Sequence, residues 1–560
     1  MRASDSRLLF LLASALAAAP DVYYVSASGD DLRGDGSPAR PWASITAAVP
    51  KIPDSGGLLI VRDGLYRGPV LIARKFRHWL VIQAENPYRA VLRSDHSLTL
   101  FIMDSANVLL TGFDIARGTP YTTAPLAVHI ARSENIGLLN NILHDSFNND
   151  ILKMNEGCRR LLVEGNLFFN QQGSAGQHID SNGCREVWIR ENVFFNDGAR
   201  SPLKNLRTTH GFIVAKDSGE VRQSRSIWIS SNVFLNFEGS PGSNFILLGE
   251  DGKPFYEVEE VTIENNLLLG NSPCPMRAPL GVKGARQVLF RNNTVVGDLP
   301  GRAFAARINR ELRTPVNRQL AFLNNIWSDP TGTMGTFAEV PRGDAEELAL
   351  RNNLYWNGGK PIPRRGGPLD PAGDPRRLFA DPRLPPARVV LPHWDGARFA
   401  SGAALIRQEF ERLVRQHGAP APGAPGIGRA EPAAAPAEDI LGAPRNDKPD
   451  LGAVQFAGVG GSLRLVLLPD QVSGRSQTVF SHVILNRPAT ARGTVVTLVS
   501  AQPALAAVPK QVLVAQGQTA AFFPITTAAV TAPSRVSIQA AAGGSRASAT
   551  LVIVPAPTPR

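Results

Sequence analysis

Leu161-Leu162-Val163-Glu164-Gly165-Asn166-Leu167-Phe168-Phe169 and Val187-Trp188-Ile189-Arg190-Glu191-Asn192-Val193-Phe194-Phe195 are two copies of one pattern. Apolar residues alternate for one short strand, the chain turns at Asn, and a second short apolar strand follows. The first half recurs at Ile136–Asn141, Ile227–Asn232, Val261–Asn266, Val288–Asn293, Leu320–Asn325 and Leu348–Asn353. Successive final Asn residues are separated by 25, 26, 40, 34, 27, 32 and 28 positions. A period in the twenties with two-residue alternation inside it marks a β-solenoid, in which each repeat forms one coil. One Asn per coil can stack on the next about 4.8 Å away in an amide ladder, and Asn tolerates the left-handed conformation such a turn needs. The residues at 141, 166, 192, 266 and 293 are therefore expected in one line. Weaker coils are expected earlier, at Leu80-Val81-Ile82 and Val108–Phe113.

A solenoid must cover its ends. Pro41–Val49 places apolar groups at helical spacing, as an N-terminal capping helix would. Tyr23-Tyr24-Val25-Ser26-Ala27-Ser28-Gly29-Asp30, with Pro41-Trp42 and Ile45 behind it, resembles the opening of secreted right-handed β-helix proteins of the polysaccharide lyase type. Lys448-Pro449-Asp450-Leu451-Gly452-Ala453 resembles the last strand motif of such proteins. The resemblance covers about residues 22–456 and implies a right-handed parallel β-helix and a uronic-acid polymer as substrate class. An amphipathic helix is expected from Ser401, as N-cap, to Gly418, and residues 419–438, rich in Pro and Ala, read as an extended surface loop.

The composition fits an all-β chain of two domains. Hydrophobic residues make up 43% and charged residues 19% of the 560, with 51 Gly and 44 Pro. Residues 1–19 read as a signal peptide, with Arg2 and Arg7 ahead of the apolar Leu8–Ala18 run and a small-residue cleavage site. The expected organisation is a β-helix over 20–457 and a small immunoglobulin-like β-sandwich over 462–555, the latter read from Thr494–Leu498, Gln511–Val514, Val536–Ile538 and Ala549–Ile553. The destination is secreted, periplasmic or cell-surface; no transmembrane segment is found and a monomer is expected. Removing residues 1–19 takes away Arg2, Arg7 and Asp5 and changes the net charge from +11 to +10, which suggests anionic partners such as acidic polysaccharides. No nucleic-acid module, nucleophile elbow, P-loop or zinc motif is present.

Two insertions break the period, at Asp197–Thr209 and at Gly249–Pro254, and both border the sheet that follows the second strand of each coil. Alternation along that sheet exposes His129, Lys153, Asp180, Lys216, Lys283 and Arg307, a mainly cationic column with one carboxylate. β-Elimination requires neutralisation of a substrate carboxylate and a base poised near working pH. A Lys crowded by other cations has a lowered pKa, so Lys153 and Lys216 are the candidate bases. Asp180 joins them in the catalytic set, and His129, His178, Lys283 and Arg307 are candidate substrate contacts. Asp150, Glu250 and Asp251, with Asp180, could bind Ca²⁺ that bridges a substrate carboxylate. Two other readings stand beside this one. Asp180 with Asp217 or Glu250 could supply the paired carboxyls of a glycosidase, and a β-helix with an immunoglobulin-like module would also serve as a non-catalytic adhesin. Cys158 and Cys184 lie in matching contexts of adjacent coils, as a disulfide or as two stacked thiols.

Overall fold

The computed structural model describes residues 21–119, 126–147, 149–170, 176–197, 210–219, 221, 224–235, 243–270, 276–297, 303–363, 367–385, 391–456, 462–475 and 480–556. The proposed signal peptide, most of the 197–209 insertion and Cys274 lie outside them. The chain divides into two compact units, the coil, Tyr23–Gly458, and a unit that contains Val459–Arg560.

The coil is a right-handed parallel β-helix with three parallel sheets of 12, 10 and 12 strands. Sheet 1 holds the strands that precede each Asn, such as Arg159–Glu164 and Arg185–Arg190. Sheet 2 holds those that follow it, such as Leu167–Phe169, and sheet 3 holds the third strand of each coil, such as Ile179–Asn182. Strand Val22–Val25 joins the start of sheet 1. The capping helix forms over Ile45–Ala48, with Ser44 Oγ accepting from Ala47 N at 3.1 Å, and buries Ile45 and Ala48 at the end of the core.

The Asn residues do form one line. Asn141, Asn166, Asn192, Asn232, Asn266, Asn293, Asn325 and Asn353 are fully buried. Each Nδ2 donates to the Oδ1 of the next, as from Asn166 to Asn192 at 3.1 Å and from Asn192 to Asn232 at 3.0 Å. Each Oδ1 also accepts the previous Asn main-chain N–H, and the other amide hydrogen reaches a sheet 1 carbonyl, as from Asn192 to Val163 O at 2.9 Å. Asp374 ends the series by accepting from Asn353 Nδ2 at 2.8 Å. The left-handed turn residue, however, is the one before each ladder Asn: Asn140, Gly165, Glu191, Ser231, Asn265, Asn292, Asn324 and Asn352 all have φ between 50° and 67°. The ladder amide must point inward to stack, so the reversal of direction falls on its neighbour.

Those neighbours point outward and hold the C-terminal part of the coil. Nδ2 of Asn265, Asn324 and Asn352 donates to the carbonyls of Glu438, Glu431 and Arg429 at 2.7, 3.2 and 2.8 Å. Residues 419–438 are thus not an exposed loop: their backbone carbonyls cap solenoid side chains, and Ala424, Ala430 and Ala434 are buried. The 448–453 segment is no strand of a sheet; it crosses the same corner, where Ala453 N donates to Thr294 Oγ1 at 3.0 Å. Gly452, at φ 80°, lies so close that a Cβ there would meet Thr294 Oγ1 at 2.6 Å.

The amphipathic helix runs Ile406–His417, one turn later than expected, with Leu405 at its N-cap and Gly418 at its C-cap. Ser401 instead donates its hydroxyl to Glu409 at 2.6 Å. Ile406, Phe410, Leu413 and Val414 pack on Leu167, Phe169, Val193 and Phe195, the outer row of sheet 2, whose inner row includes Phe168 and Phe194. Burial on both faces is why these strands read as continuous Leu-Phe-Phe and Val-Phe-Phe. Trp394 adds a hydrogen bond to Asp114 Oδ2 at 3.2 Å.

Where sheet 3 passes to sheet 1, small polar groups stack. Ser105 N donates to Ser133 Oγ, Ser133 N to Cys158 Sγ at 3.4 Å, and Cys184 N to Ser224 Oγ at 3.2 Å. Cys158 and Cys184 occupy serine places in this column and are buried, unbridged thiols. Thiol titration of the denatured, non-reduced protein should therefore count three reactive thiols per chain, since Cys274 adds one. A count of one would establish the bridge.

The C-terminal unit is a small β-sandwich. A three-stranded sheet (Leu463–Leu468, Phe480–Leu485, Ala520–Phe522) and a five-stranded one that includes Thr494–Ser500, Ser534–Ala542 and Ser545–Val554 share a core of Leu465, Val483, Val496, Leu498, Ile538 and Leu551. Among the described residues no helix is long and apolar enough to cross a membrane.

Candidate active site

Sheet 3 is in register from coil to coil, so its outward side chains form columns. Leu71 pairs with Phe101, Phe101 with His129, His129 with Lys153, and Lys153 with Asp180. The column continues through Val214, Leu247 and Gly281 to Arg307 and Glu339. Lys216 lies opposite Asn182, two residues further along its strand than the Asp180 row. It faces the same side because the side-chain period is two. Val214 and Leu247 are buried although they point outward, so the open stretch on the N-terminal side of the column is Leu71 to Lys153.

The column is not cationic. Lys153 Nζ lies 2.8 Å from Asp180 Oδ2 and 3.9 Å from Asp150 Oδ2. Lys216 Nζ lies 2.6 Å from Glu250 Oε2 and 3.4 Å from Asp251 Oδ1, and His210 pairs with the other oxygen of Glu250. Lys283 is 2.9 Å from Glu311, and Arg307 is 3.1 Å from Glu339. Every expected cation has a carboxylate partner, drawn from a neighbouring coil or a turn outside the alternating strand. Across coils the centre reads Asp150, Lys153, Asp180, Lys216, Glu250, acidic and basic side chains in alternation.

These pairs reverse the expected lysine chemistry. Burial disfavours the Lys153 ammonium, but Asp180 and Asp150 outweigh it and the pKa rises. Lys216 is driven higher still, against the same burial, by Asp180 and Glu250. Both stay protonated, so neither is poised as a base. Asp150, 2% exposed, is pushed well above the usual carboxylate range by burial and then by the charge of Asp180. Glu250 goes the other way: the bonds from His210 and Lys216 overcome burial and bring it down to about 2. Asp180 is 2% exposed, and its Oδ1 accepts no hydrogen bond among the described residues.

Two residues give no sign of themselves in the sequence. Glu257 is fully buried, and its carboxylate accepts from the main-chain N–H groups of Glu250 at 3.0 Å, Asp251 at 3.0 Å and Lys253 at 3.3 Å. It gathers the 249–254 insertion into a tight loop and so sets where Glu250 and Asp251 stand. Lying seven residues beyond Glu250, just before the sheet 1 strand Val258–Glu264, it reads as a plain surface carboxylate. Gln177 is equally silent in the sequence; its N–H donates to Asp150 Oδ1 at 2.9 Å.

His178 does not reach the site. It points into the core, stacks on Phe212 with ring centroids 4.3 Å apart, and bonds Asn196 at 2.9 Å, and burial pulls its pKa down to about 3. His129 does face outward, stacked on Phe101 at 4.8 Å, with Nε2 2.8 Å from Asn155 Oδ1. Burial lowers its pKa, so it is neutral at pH 7. Asp217 is a turn cap, accepting from Gly219 N at 2.7 Å. The residues expected to bind Ca²⁺ do not fit a cation: Glu250 and Asp251 are taken by Lys216, His210 and Ser218, and among the described residues no three His, Cys, Asp or Glu side chains converge.

No protein-family model and no curated protein matches the chain. Solved structures similar to it include a rhamnogalacturonan lyase, at 13% identity over 59% of this chain and 87% of that one, with a TM-score of 0.37. A lacto-N-biosidase from Eubacterium ramulus matches at 10% identity over 60% and 67%, with a TM-score of 0.37. A mannuronic acid specific polysaccharide lyase from human gut microbiota matches at 11% identity over 55% and 83%, with a TM-score of 0.30.

Proposed function

We propose that this protein binds a polysaccharide along the outward face of sheet 3 and hydrolyses it at Asp150, Lys153 and Asp180. The observation that carries the reading is that two carboxyl groups from adjacent coils share one ammonium. Glycoside hydrolysis needs one carboxyl that holds its proton and one that does not. Asp150, buried beside a second carboxylate, keeps the proton and can give it to the glycosidic oxygen. Asp180, ion-paired to Lys153, is the second carboxyl, and its Oδ1, buried and without a hydrogen bond among the described residues, would take a proton from a water that enters beside Lys153. Lys153 and Lys216 hold the carboxylates in place and stabilise their charge. The protein is exported through residues 1–19, and the C-terminal sandwich is an immunoglobulin-like attachment module.

β-Elimination keeps one observation in its favour. His129 is neutral, its Nε2 is occupied by Asn155, and it stands opposite Lys153 in the register. Its Nδ1 could act as the base while Lys153 meets a substrate carboxylate. Product analysis separates the two. Hydrolysis is expected to release new reducing ends with no absorbing double bond, whereas elimination leaves one ultraviolet-absorbing unsaturated end per cut. Retention of a polysaccharide with no new ends of either kind makes the protein an adhesin.

A further inference from the structure

We infer that the sugar unit held against Asp180 is uncharged, so the substrate is a neutral, hydroxyl-rich polysaccharide and not a polyuronate. This rests on the reading of sheet 3 as a glycan site. Its four outward cations, Lys153, Lys216, Lys283 and Arg307, are all paired internally, at 2.8, 2.6, 2.9 and 3.1 Å. Their partners, with Asp150 and Asp251, make six acidic side chains to four cations. A uronate would have to displace a carboxylate already fixed beside its lysine. At Lys216 that contact is well shielded, with the two side chains only 14% and 10% exposed. An internal pair of this kind costs no association entropy, so an external carboxylate competes poorly.

The acidic group beside Lys153 points the same way. Among the described residues Asp180 Oδ1 is a buried acceptor with nothing to accept. A buried acceptor left unmet costs free energy that a donor recovers. A sugar hydroxyl that enters past the part-exposed Lys153 is such a donor, and a second carboxylate would be repelled. Next to Lys153 the open column carries no cation at all: neutral His129, Phe101 and the partly exposed Leu71 succeed one another. Aromatic and aliphatic edges of this kind suit the C–H faces of pyranose rings.

Affinity gel electrophoresis of the full-length protein through galactan, mannan, polygalacturonate and alginate tests the inference. Retardation is expected in a neutral polymer, nearly unchanged between low and high salt, with polyuronate affinity weaker by about tenfold or more. Glu250→Gln combined with Asp251→Asn, which removes both loop carboxylates beside Lys216, should gain polyuronate retardation at low salt. Preferential, salt-sensitive retention of polygalacturonate or alginate by the unmodified protein overturns the inference, as does retention by none of the four polymers. A neutral polymer that is bound and never cut leaves the inference standing and removes the hydrolase reading. A polyuronate that is bound and cut removes the inference and leaves the glycan site.

Discussion

Asp180→Asn is expected to lower turnover on the cleaved polysaccharide by about 10²–10⁴-fold, the usual worth of one acid–base group. The amide keeps the shape of the side chain and removes its charge. The fold should survive, because Lys153 retains Asp150 at 3.9 Å and is itself part-exposed. Circular dichroism and the thermal midpoint report that separately. A pH profile adds a readout that lost packing would not move. Asp150 is active as an acid only while it holds its proton, so activity falls as pH rises through its raised pKa. Burial is the first cause of that rise and the charge of Asp180 the second. With Asp180 neutral, and Lys153 free to turn towards Asp150, the alkaline limb of the residual activity should move to lower pH. A variant that keeps half its turnover, or a limb that stays in place, would remove Asp180 from the chemistry. If elimination is the reaction, His129→Ala is the damaging change instead.

The second large effect concerns stability. Asn192→Ala should cost about 3–5 kcal/mol, towards the upper end for a single substitution. Asn192 is fully buried, and its Oδ1 accepts from Asn166 N at 2.9 Å and Asn166 Nδ2 at 3.1 Å. Its Nδ2 donates to Val163 O at 2.9 Å and Asn232 Oδ1 at 3.0 Å. Alanine removes the partner of Asn166 N, of one Asn166 Nδ2 hydrogen and of Val163 O in the dry interior, and leaves Asn232 Oδ1 with only the main-chain N–H of residue 192. Asn192→Asp should be no better, because it sets oxygen against both acceptors and buries a charge. Asp374 shows the contrast: at the end of the ladder its carboxylate meets donors, among them Asn352 N, Asn353 N and Tyr355 Oη. Denaturant titration followed by tryptophan fluorescence measures the difference. A loss below about 1 kcal/mol would mean the ladder is incidental to stability.

The ladder is legible in the sequence because an amide is self-complementary: it carries a donor and an acceptor, so the same residue can repeat in every coil. The doublets Asn265-Asn266, Asn292-Asn293, Asn324-Asn325 and Asn352-Asn353 hold more than the repeat alone discloses. The second Asn stacks, while the first turns the chain and reaches the segment lying outside it. Residues 419–438 mislead because Pro and Ala form no ladder of their own, yet such a backbone still offers carbonyls. Alternation places the outward column correctly and misjudges its charge. It predicts which way Lys153, Lys216 and Arg307 point, but Glu250, Glu311 and Glu339 reach the column's cations from other coils and turns. Cations can be counted along one strand. Their partners emerge only when the coils are stacked, and with them the direction of each pKa.

The segment laid over sheet 2 also changes how the molecule must come apart. A bare solenoid couples each coil only to its neighbours, so it can fray from either end and fold by propagation. Here Ile406 N is bonded to Tyr88 Oη across 318 residues, Arg407 to Glu191 across 216 and Asn265 to Glu438 across 173. Contacts of such sequence separation slow folding and tie distant coils into one cooperative unit. During synthesis the outer row of Leu167, Phe169, Val193 and Phe195 stays bare until the helix Ile406–His417 has been made. The growing chain therefore carries an apolar stripe open to self-association from Phe195 until His417 has been added, and only its last third conceals it.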